Sequence, residues 1–149
     1  MVQGQYPPGS TVKPLISLGA LARDFITPDT EIRDPGWYQL PGDDRRYRDW
    51  TLRVRGTGHA ETVDLKMAIA QSCDTYYYDL AHRMGIDAMA EMLQPFGLGQ
   101  RTGIDIPGEQ DGILPSTDWK LAALGEPWYP GETISAGIGQ GYMLTTPLQ

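Results

Sequence analysis

The sequence predicts an α+β fold in which helices carry most of the order, and three observations support that prediction. Apolar residues recur at helical spacing through Leu15, Leu18, Leu21 and Ala22, and again through Leu65, Ile69, Tyr76 and Leu80. Stretches with strand character are short and scattered, at Ile32, Trp37 to Leu40 and Thr102 to Ile106. The 18 glycines and 12 prolines cut the remainder into turns and loops. At 149 residues, with no repeat or charge block that divides it, the chain is one domain by size. Val, Leu, Ile and Phe supply only about a fifth of it, the level near which a self-sufficient core becomes hard to build. The 8 Tyr, 4 Trp and 6 Met make up part of the deficit, and the chain is expected to be a piece of a larger domain.

The first helix is expected from Ser10 to about Arg23. Pro7 and Pro8 hold the approach extended, Gly9 allows a sharp turn, and Pro14 falls just beyond the first turn, where few amide donors are needed. Phe25 to Ala60 is punctuated by Pro28, Pro35-Gly36, Pro41-Gly42, Gly56 and Gly58. It reads as a connection long enough to require a function or an anchor. Thr62 or Asp64 can cap the next helical stretch, one bent helix or two short ones running to Gly85, with a break near Cys73 to Thr75, where Asp and Thr favour caps over helix interiors. Asp87 is expected to cap a helix over Ala88 to Phe96, and Ser116 or Thr117 a short one carrying Trp119. Thr133-Ile134 looks strand-like, and the glycines of Gly137 to Gly141 require backbone to pass close to something. Thr146 and Pro147 have the cap and first-position character of a further helix start.

Ser10 and Lys13 lie one helical turn apart, so hydroxyl and amine share a face. A serine becomes a nucleophile when a neighbouring base accepts its proton, and a lysine serves only in its neutral form. The helix N-terminus adds positive potential where an oxyanion would develop. Alone, a Ser-x-x-Lys spacing arises by chance about once in a chain of this size. The Pro-Pro-Gly approach and a second motif, Ser72-Cys73-Asp74, raise its weight; by itself that second motif would be a plain helix cap.

Several function classes are excluded. The net charge is −7 and the arginines sit among aspartates, which argues against nucleic acid and against Tyr76, Tyr77 and Tyr78 as a base-stacking platform. No apolar run approaches the roughly 18 residues of a membrane helix. The glycine run lacks the Lys-Ser/Thr ending of a P-loop. A single cysteine rules out an internal disulfide.

Taken together, Tyr6-Pro7-Pro8-Gly9-Ser10-Thr11-Val12-Lys13-Pro14, Asp34-Pro35-Gly36-Trp37, Tyr47-Arg48-Asp49-Trp50, Ser72-Cys73-Asp74-Thr75 and Gly137-Ile138-Gly139-Gln140-Gly141-Tyr142 resemble the transpeptidase domain of class B penicillin-binding proteins. The likeness is greatest to the cell-elongation subgroup, penicillin-binding protein 2. The resemblance implies that residues 1–149 are the N-terminal part of that domain, mainly its helical subdomain, with most of the antiparallel sheet lying elsewhere. It implies that Ser10 is acylated by the D-Ala-D-Ala end of a peptidoglycan stem peptide, and that an amine then takes the acyl group to form a cross-link. β-Lactams would acylate the same serine. Lys13 maps onto the acylation base, and Ser72 and Asp74 onto the Ser-x-Asn element that bridges to the lysine. The oxyanion would be held by the Ser10 amide and one from a later strand. An elongation-machinery glycan polymerase, the periplasmic face of the inner membrane and an N-terminal anchor outside these residues are implied likewise. No cofactor is implied for catalysis.

Two departures stand out. Asp74 occupies a position where most of the family has Asn, and an ionised carboxylate there favours the charged amine of Lys13. No Lys-Ser-Gly or Lys-Thr-Gly triplet, the family's third motif, occurs in these residues. Separately, Cys73, His59, Asp34 and Asp49 are of the types that complete a tetrahedral zinc shell, and a metal would anchor the long connection; a lone buried cysteine also serves plain packing. Some members of the elongation subgroup carry such a zinc beside the active site, so the resemblance implies a structural ion. Two alternatives remain on the same scaffold: a serine β-lactamase or D,D-carboxypeptidase, which hands the acyl group to water, and a non-catalytic β-lactam sensor.

Overall fold

The computed structural model describes residues 1–149. Its centre is helix α4 (Asp74–Met84), whose Tyr76, Tyr77, Tyr78, Leu80, Ala81 and Met84 are buried on several faces, as befits a helix surrounded by others. Packed against it or each other are α1 (Lys13–Ala22), α3 (Leu65–Ala70), α5 (Ile86–Leu93) and α7 (Pro130–Ala136). Val12, Ile16 and Ala20 meet Met89, Met92 and Leu93 in the main core, each side chain larger than Ala20 contributing roughly 1.5–3 kcal/mol where fully buried. A smaller cluster of Leu40, Tyr47, Tyr78 and Ile134 joins α4 and α7 to the long connection.

Strand structure is slight, as the α+β expectation with little sheet required. Strands β1 (Ile32–Arg33) and β4 (Thr62–Val63) pair antiparallel, Ile32 opposite Val63. Strands β2 (Trp37–Gln39) and β3 (Arg46–Arg48) pair antiparallel with Tyr38 opposite Tyr47. Both pairs lie on or bound the 25–60 connection, which also contains α2 (Trp50–Arg55), capped by Asp49 Oδ1 accepting from the Thr51 amide at 2.9 Å. The connection is therefore ordered by strand pairing, within itself at Trp37–Gln39 with Arg46–Arg48 and to its far flank at Ile32–Arg33 with Thr62–Val63.

The break expected at Cys73 to Thr75 is present: α3, capped by Asp64, ends at Ala70, and α4 begins at Asp74. Ser116 caps α6 (Thr117–Leu124) by accepting from the Trp119 amide at 3.0 Å.

Four expectations are corrected. The first helix opens as a 3-10 turn, Gly9–Val12, before α1. Thr102 to Ile106 is not a strand, because the Glu109 carboxylate takes the amides of Thr102 (2.7 Å) and Gly103 (3.2 Å) and no partner strand is present. Thr133 and Ile134 lie inside α7, where Pro130 starts the helix and Glu132 accepts from the Tyr129 amide at 2.8 Å. Helix-start chemistry there outweighs β-branched propensity. Asp87 caps no helix of its own: α5 starts after Gly85, and Asp87 accepts from the Thr117 amide at 2.9 Å, tying α5 to α6. Pro95 tightens the tail of α5 into a second 3-10 turn, Gln94–Phe96.

Candidate active site and metal centre

Ser10 is exposed in its 3-10 turn, whereas Lys13, one turn on, is only 2% exposed. The ammonium of Lys13 has three hydrogens and meets three acceptors: Asp74 Oδ1 at 2.6 Å, Ser72 O at 3.0 Å and Ser72 Oγ at 3.1 Å. Ser72 Oγ in turn donates to Ser10 Oγ at 2.8 Å, so a hydrogen-bonded route from Ser10 to Lys13 runs through Ser72. The sequence placed Ser10 and Lys13 on one face; the structure adds that a residue 62 positions away completes the link.

Ser72 owes its place to the corner between α3 and α4. Its φ of 55° is a conformation that side chains with a Cβ enter at a cost of roughly 1–2 kcal/mol. That conformation turns its carbonyl toward Lys13 and the Trp50 indole, which donates to it at 3.2 Å. Asp74 is fixed by its backbone: its amide and that of Thr75 donate to Asp49 Oδ2 at 2.6 and 3.1 Å, so the Asp49 carboxylate caps α4 as well as α2. Burial pushes the Asp74 carboxyl above the ordinary range, and the Lys13 ammonium offsets part of that shift. A cleft of about 430 Å³, lined in part by Trp50, Arg53, Asp74 and Tyr78, opens beside this group. Three larger clefts, of about 700, 670 and 460 Å³, are lined by none of Ser10, Lys13, Ser72 and Asp74.

Behind the same corner, Asp34, Asp49, His59 and Cys73 converge, with one ligand atom from each lying within 4.8 Å of the others. His59 Nδ1 is 3.0 Å from Asp34 Oδ2 and 3.7 Å from Asp49 Oδ2, and Cys73 Sγ is 3.6 Å from Asp34 Oδ2. A tetrahedron with bonds of about 2.0–2.3 Å has edges of about 3.3–3.8 Å, so the set is close to the size of a zinc shell. The other ring nitrogen, Nε2, lies 3.2 Å from the Gln71 carbonyl, the kind of outer hydrogen bond that orients a ligating imidazole. Burial opposes charge on Asp34, but hydrogen bonds led by the His59 amide outweigh it and hold the carboxyl below its usual range. Burial also pushes the Cys73 thiol up, with the neighbouring carboxylates adding to the effect. A cation at this point would favour the thiolate and relieve the crowding of acidic groups.

A family profile described as the penicillin binding protein transpeptidase domain matches residues 1–149. The chain belongs to that family. Among curated relatives, peptidoglycan D,D-transpeptidase MrdA of Acinetobacter baumannii is 48% identical over 148 residues, covering 99% of this chain and 21% of the relative. The crystal structure of Pseudomonas aeruginosa PBP2 in complex with WCK 5153 is 48% identical with a TM-score of 0.91, covering 99% of this chain and 32% of that one. A complex of PBP2 and MreC from Helicobacter pylori gives 37% identity and a TM-score of 0.88, covering 98% of this chain and 26% of that one. The chain thus spans about a fifth of the length of the curated relatives it matches. Its likeness is to the PBP2/MrdA subgroup, and its architecture is a partial penicillin-binding transpeptidase fold of mainly helical character.

Within this transpeptidase domain, three supporting groups had no assigned role in the sequence reading. Ser17, one turn after Lys13, donates to the Lys13 carbonyl at 2.8 Å and lies 2.7 Å from the Tyr77 hydroxyl, while the Tyr77 ring lies 5.2 Å from Lys13 Nζ. Trp50 stacks edge-on against His59 at 5.6 Å, linking the Ser72 carbonyl to the metal-type cluster. The i, i+4 spacing of Lys13 and Ser17 was a usable signal, and Trp50 and Tyr77 lie beside motif residues, directly after Asp49 and three positions after Asp74.

Proposed function

We propose that the polypeptide carrying these residues is a peptidoglycan D,D-transpeptidase acting through Ser10. The observation that carries this reading is the hydrogen-bonded series Ser10, Ser72, Lys13, Asp74, with an exposed hydroxyl at one end and a buried amine within it. In the acylation step Ser10 Oγ bonds to the carbonyl carbon between the two D-alanines, its proton passes through Ser72 toward Lys13, and the C–N bond breaks. The departing D-alanine takes a proton and leaves Ser10 as an ester. The amine of a neighbouring stem peptide then attacks the ester, and its proton returns to Ser10 as the cross-link forms. Lys13 acts in its neutral form during proton transfer, and Asp74 orients it and balances the charge it acquires. β-Lactams take the place of the donor peptide and leave a long-lived ester on the same oxygen.

The likeness to MrdA and to PBP2 complexes supports placing this activity on the periplasmic face of the inner membrane, in the elongation machinery beside a glycan polymerase and an MreC-type partner. No helix here is long and apolar enough to cross a membrane. For the metal, the reading is that Asp34, Asp49, His59 and Cys73 hold one structural zinc that fastens the 25–60 connection to the corner bearing Ser72 and Asp74. Metal analysis of protein purified without chelator is expected to give one zinc per chain, lost in Cys73→Ser. Absence of zinc, or unchanged content in the variant, contradicts it.

The activity is tested by supplying the full polypeptide with a stem pentapeptide and an amine acceptor. Release of D-alanine with formation of cross-linked product is expected. Release of D-alanine with hydrolysis alone would favour a carboxypeptidase, rapid turnover of penicillin a lactamase, and stable acylation without D-alanine release a sensor.

A further inference from the structure

The approach to Ser10 has few backbone donors, because Pro7 and Pro8 have none. Its two amides are both committed to one partner segment. The Tyr6 amide donates to the Thr145 carbonyl at 2.9 Å, with the Thr145 amide returning the bond, and the Gly9 amide donates to the Gly139 carbonyl at 2.9 Å. At the second contact the two backbones touch: a Cβ on Gly139 would lie 2.2 Å from Gly9 O, 2.6 Å from Gly9 N and 2.8 Å from Gly9 C. Gly139 also has a φ of 67°, so only glycine meets both demands without strain.

The contact bears on the nucleophile through peptide geometry. The Gly9 carbonyl and the Ser10 amide belong to one planar trans unit, so they point in opposite directions. Gly139 stands against the carbonyl end, which aims the Ser10 N–H away from the Gly-rich loop. That loop is itself hung on α7: the Gly139 amide donates to the Ala136 carbonyl at 2.9 Å and the Gln140 amide to the Ser135 carbonyl at 3.0 Å, while Ile134 and Ala136 are buried in the two cores. We propose that Gly139 is a positioning residue for the reaction, setting the plane of the Gly9–Ser10 peptide and hence the aim of the Ser10 amide and hydroxyl. The proposal rests on Ser10 being the acylated serine.

Gly141 supplies the control. It has a similar φ of 71°, but a Cβ there would meet only Ser135 Cβ at 3.3 Å and nothing of the serine turn. Gly139→Ala and Gly141→Ala therefore share a backbone penalty and differ in whether they push on Gly9. Acylation of the full polypeptide by fluorescent penicillin, followed over a concentration series, separates the encounter constant from the acylation rate constant. In Gly139→Ala the rate constant is expected to fall by about tenfold or more, since misaiming an oxyanion donor acts on the transition state, with the encounter constant changed by less than about twofold. Gly141→Ala, at a comparable loss in Tm, is expected to keep the wild-type rate constant. An unaltered rate constant in Gly139→Ala, or the same loss in both variants, overturns the proposal. Absence of any Ser10 adduct in the wild type overturns this proposal together with the assignment of Ser10. Should Gly139→Ala not fold, hydrogen exchange at the Gly9 amide of the wild type decides: slow exchange is expected, and exchange at the rate of an open chain overturns it.

Discussion

Lys13 is a buried amine surrounded by three acceptors, and its role can be separated from its charge. Arginine retains the positive charge and donors but cannot give up its proton in a protein. Lys13→Arg is therefore expected to lower the acylation rate by about 10²–10⁴, the usual worth of a general base, whereas a merely electrostatic lysine would leave most of it. Ser72→Ala removes the only atom hydrogen-bonded to both Lys13 Nζ and Ser10 Oγ, and is expected to lower the rate without matching loss of Tm. Time-resolved labelling by penicillin, with melting curves of each variant, checks both. That Ser10 and Lys13 share a face was legible from their spacing, whereas the grouping of Ser72 and Asp74 with them came from the family resemblance, since alone that pair reads as a helix cap. The mutual distances were not legible, since they depend on a corner whose key residue, Ser72, adopts a conformation no propensity favours.

At the scale of elements, the α3–α4 corner depends on the 25–60 connection. Asp49 caps α2 with one oxygen and α4 with the other, and Asp34 accepts from the His59 amide at 2.7 Å and the Gly36 amide at 2.8 Å. Chelation of the proposed metal is expected to speed hydrogen exchange and proteolysis across residues 25–60 and to slow acylation at Ser10. Exchange unaffected by chelator in a protein shown to hold zinc would contradict this linkage. The helices of the core other than α7 were legible because an apolar stripe repeated over several turns is a strong signal. Of the short strands, those at Ile32 and Trp37 to Leu40 were legible from β-branched and aromatic residues between turn signals, whereas Arg46–Arg48 and Thr62–Val63 were not, since so short a run has no period. Thr133-Ile134 misled because two β-branched residues weigh less than Pro130 and Glu132 at a helix start.

For the molecule as a whole, only 39 of 149 residues are buried, and apolar side chains including Leu18, Val54, Leu121 and Phe96 remain exposed. The residues by themselves are therefore expected to unfold at modest temperature in a broad transition; a sharp, high-temperature transition in calorimetry would contradict the reading of the chain as part of a larger core. The buried tyrosines add a pH dependence. Burial raises Tyr76 and Tyr77 from 10 to about 12, so the folded state holds phenolic protons that the unfolded chain releases first. That contribution to stability is complete below pH 10 and is lost as pH rises toward 12. Denaturant titrations across this window should show the decline, flattened in Tyr76→Phe and Tyr77→Phe. Equal slopes in wild type and variants would assign the alkaline loss to other groups.

The most direct test of the central claim, that Ser10 is the acylated nucleophile, is the intact mass of the full polypeptide after exposure to penicillin, followed by peptide mapping. The expected result is one penicillin adduct per chain on the peptide containing Ser10, persisting over many minutes and absent from Ser10→Ala. No adduct in folded protein, or an adduct that survives Ser10→Ala, would contradict the account.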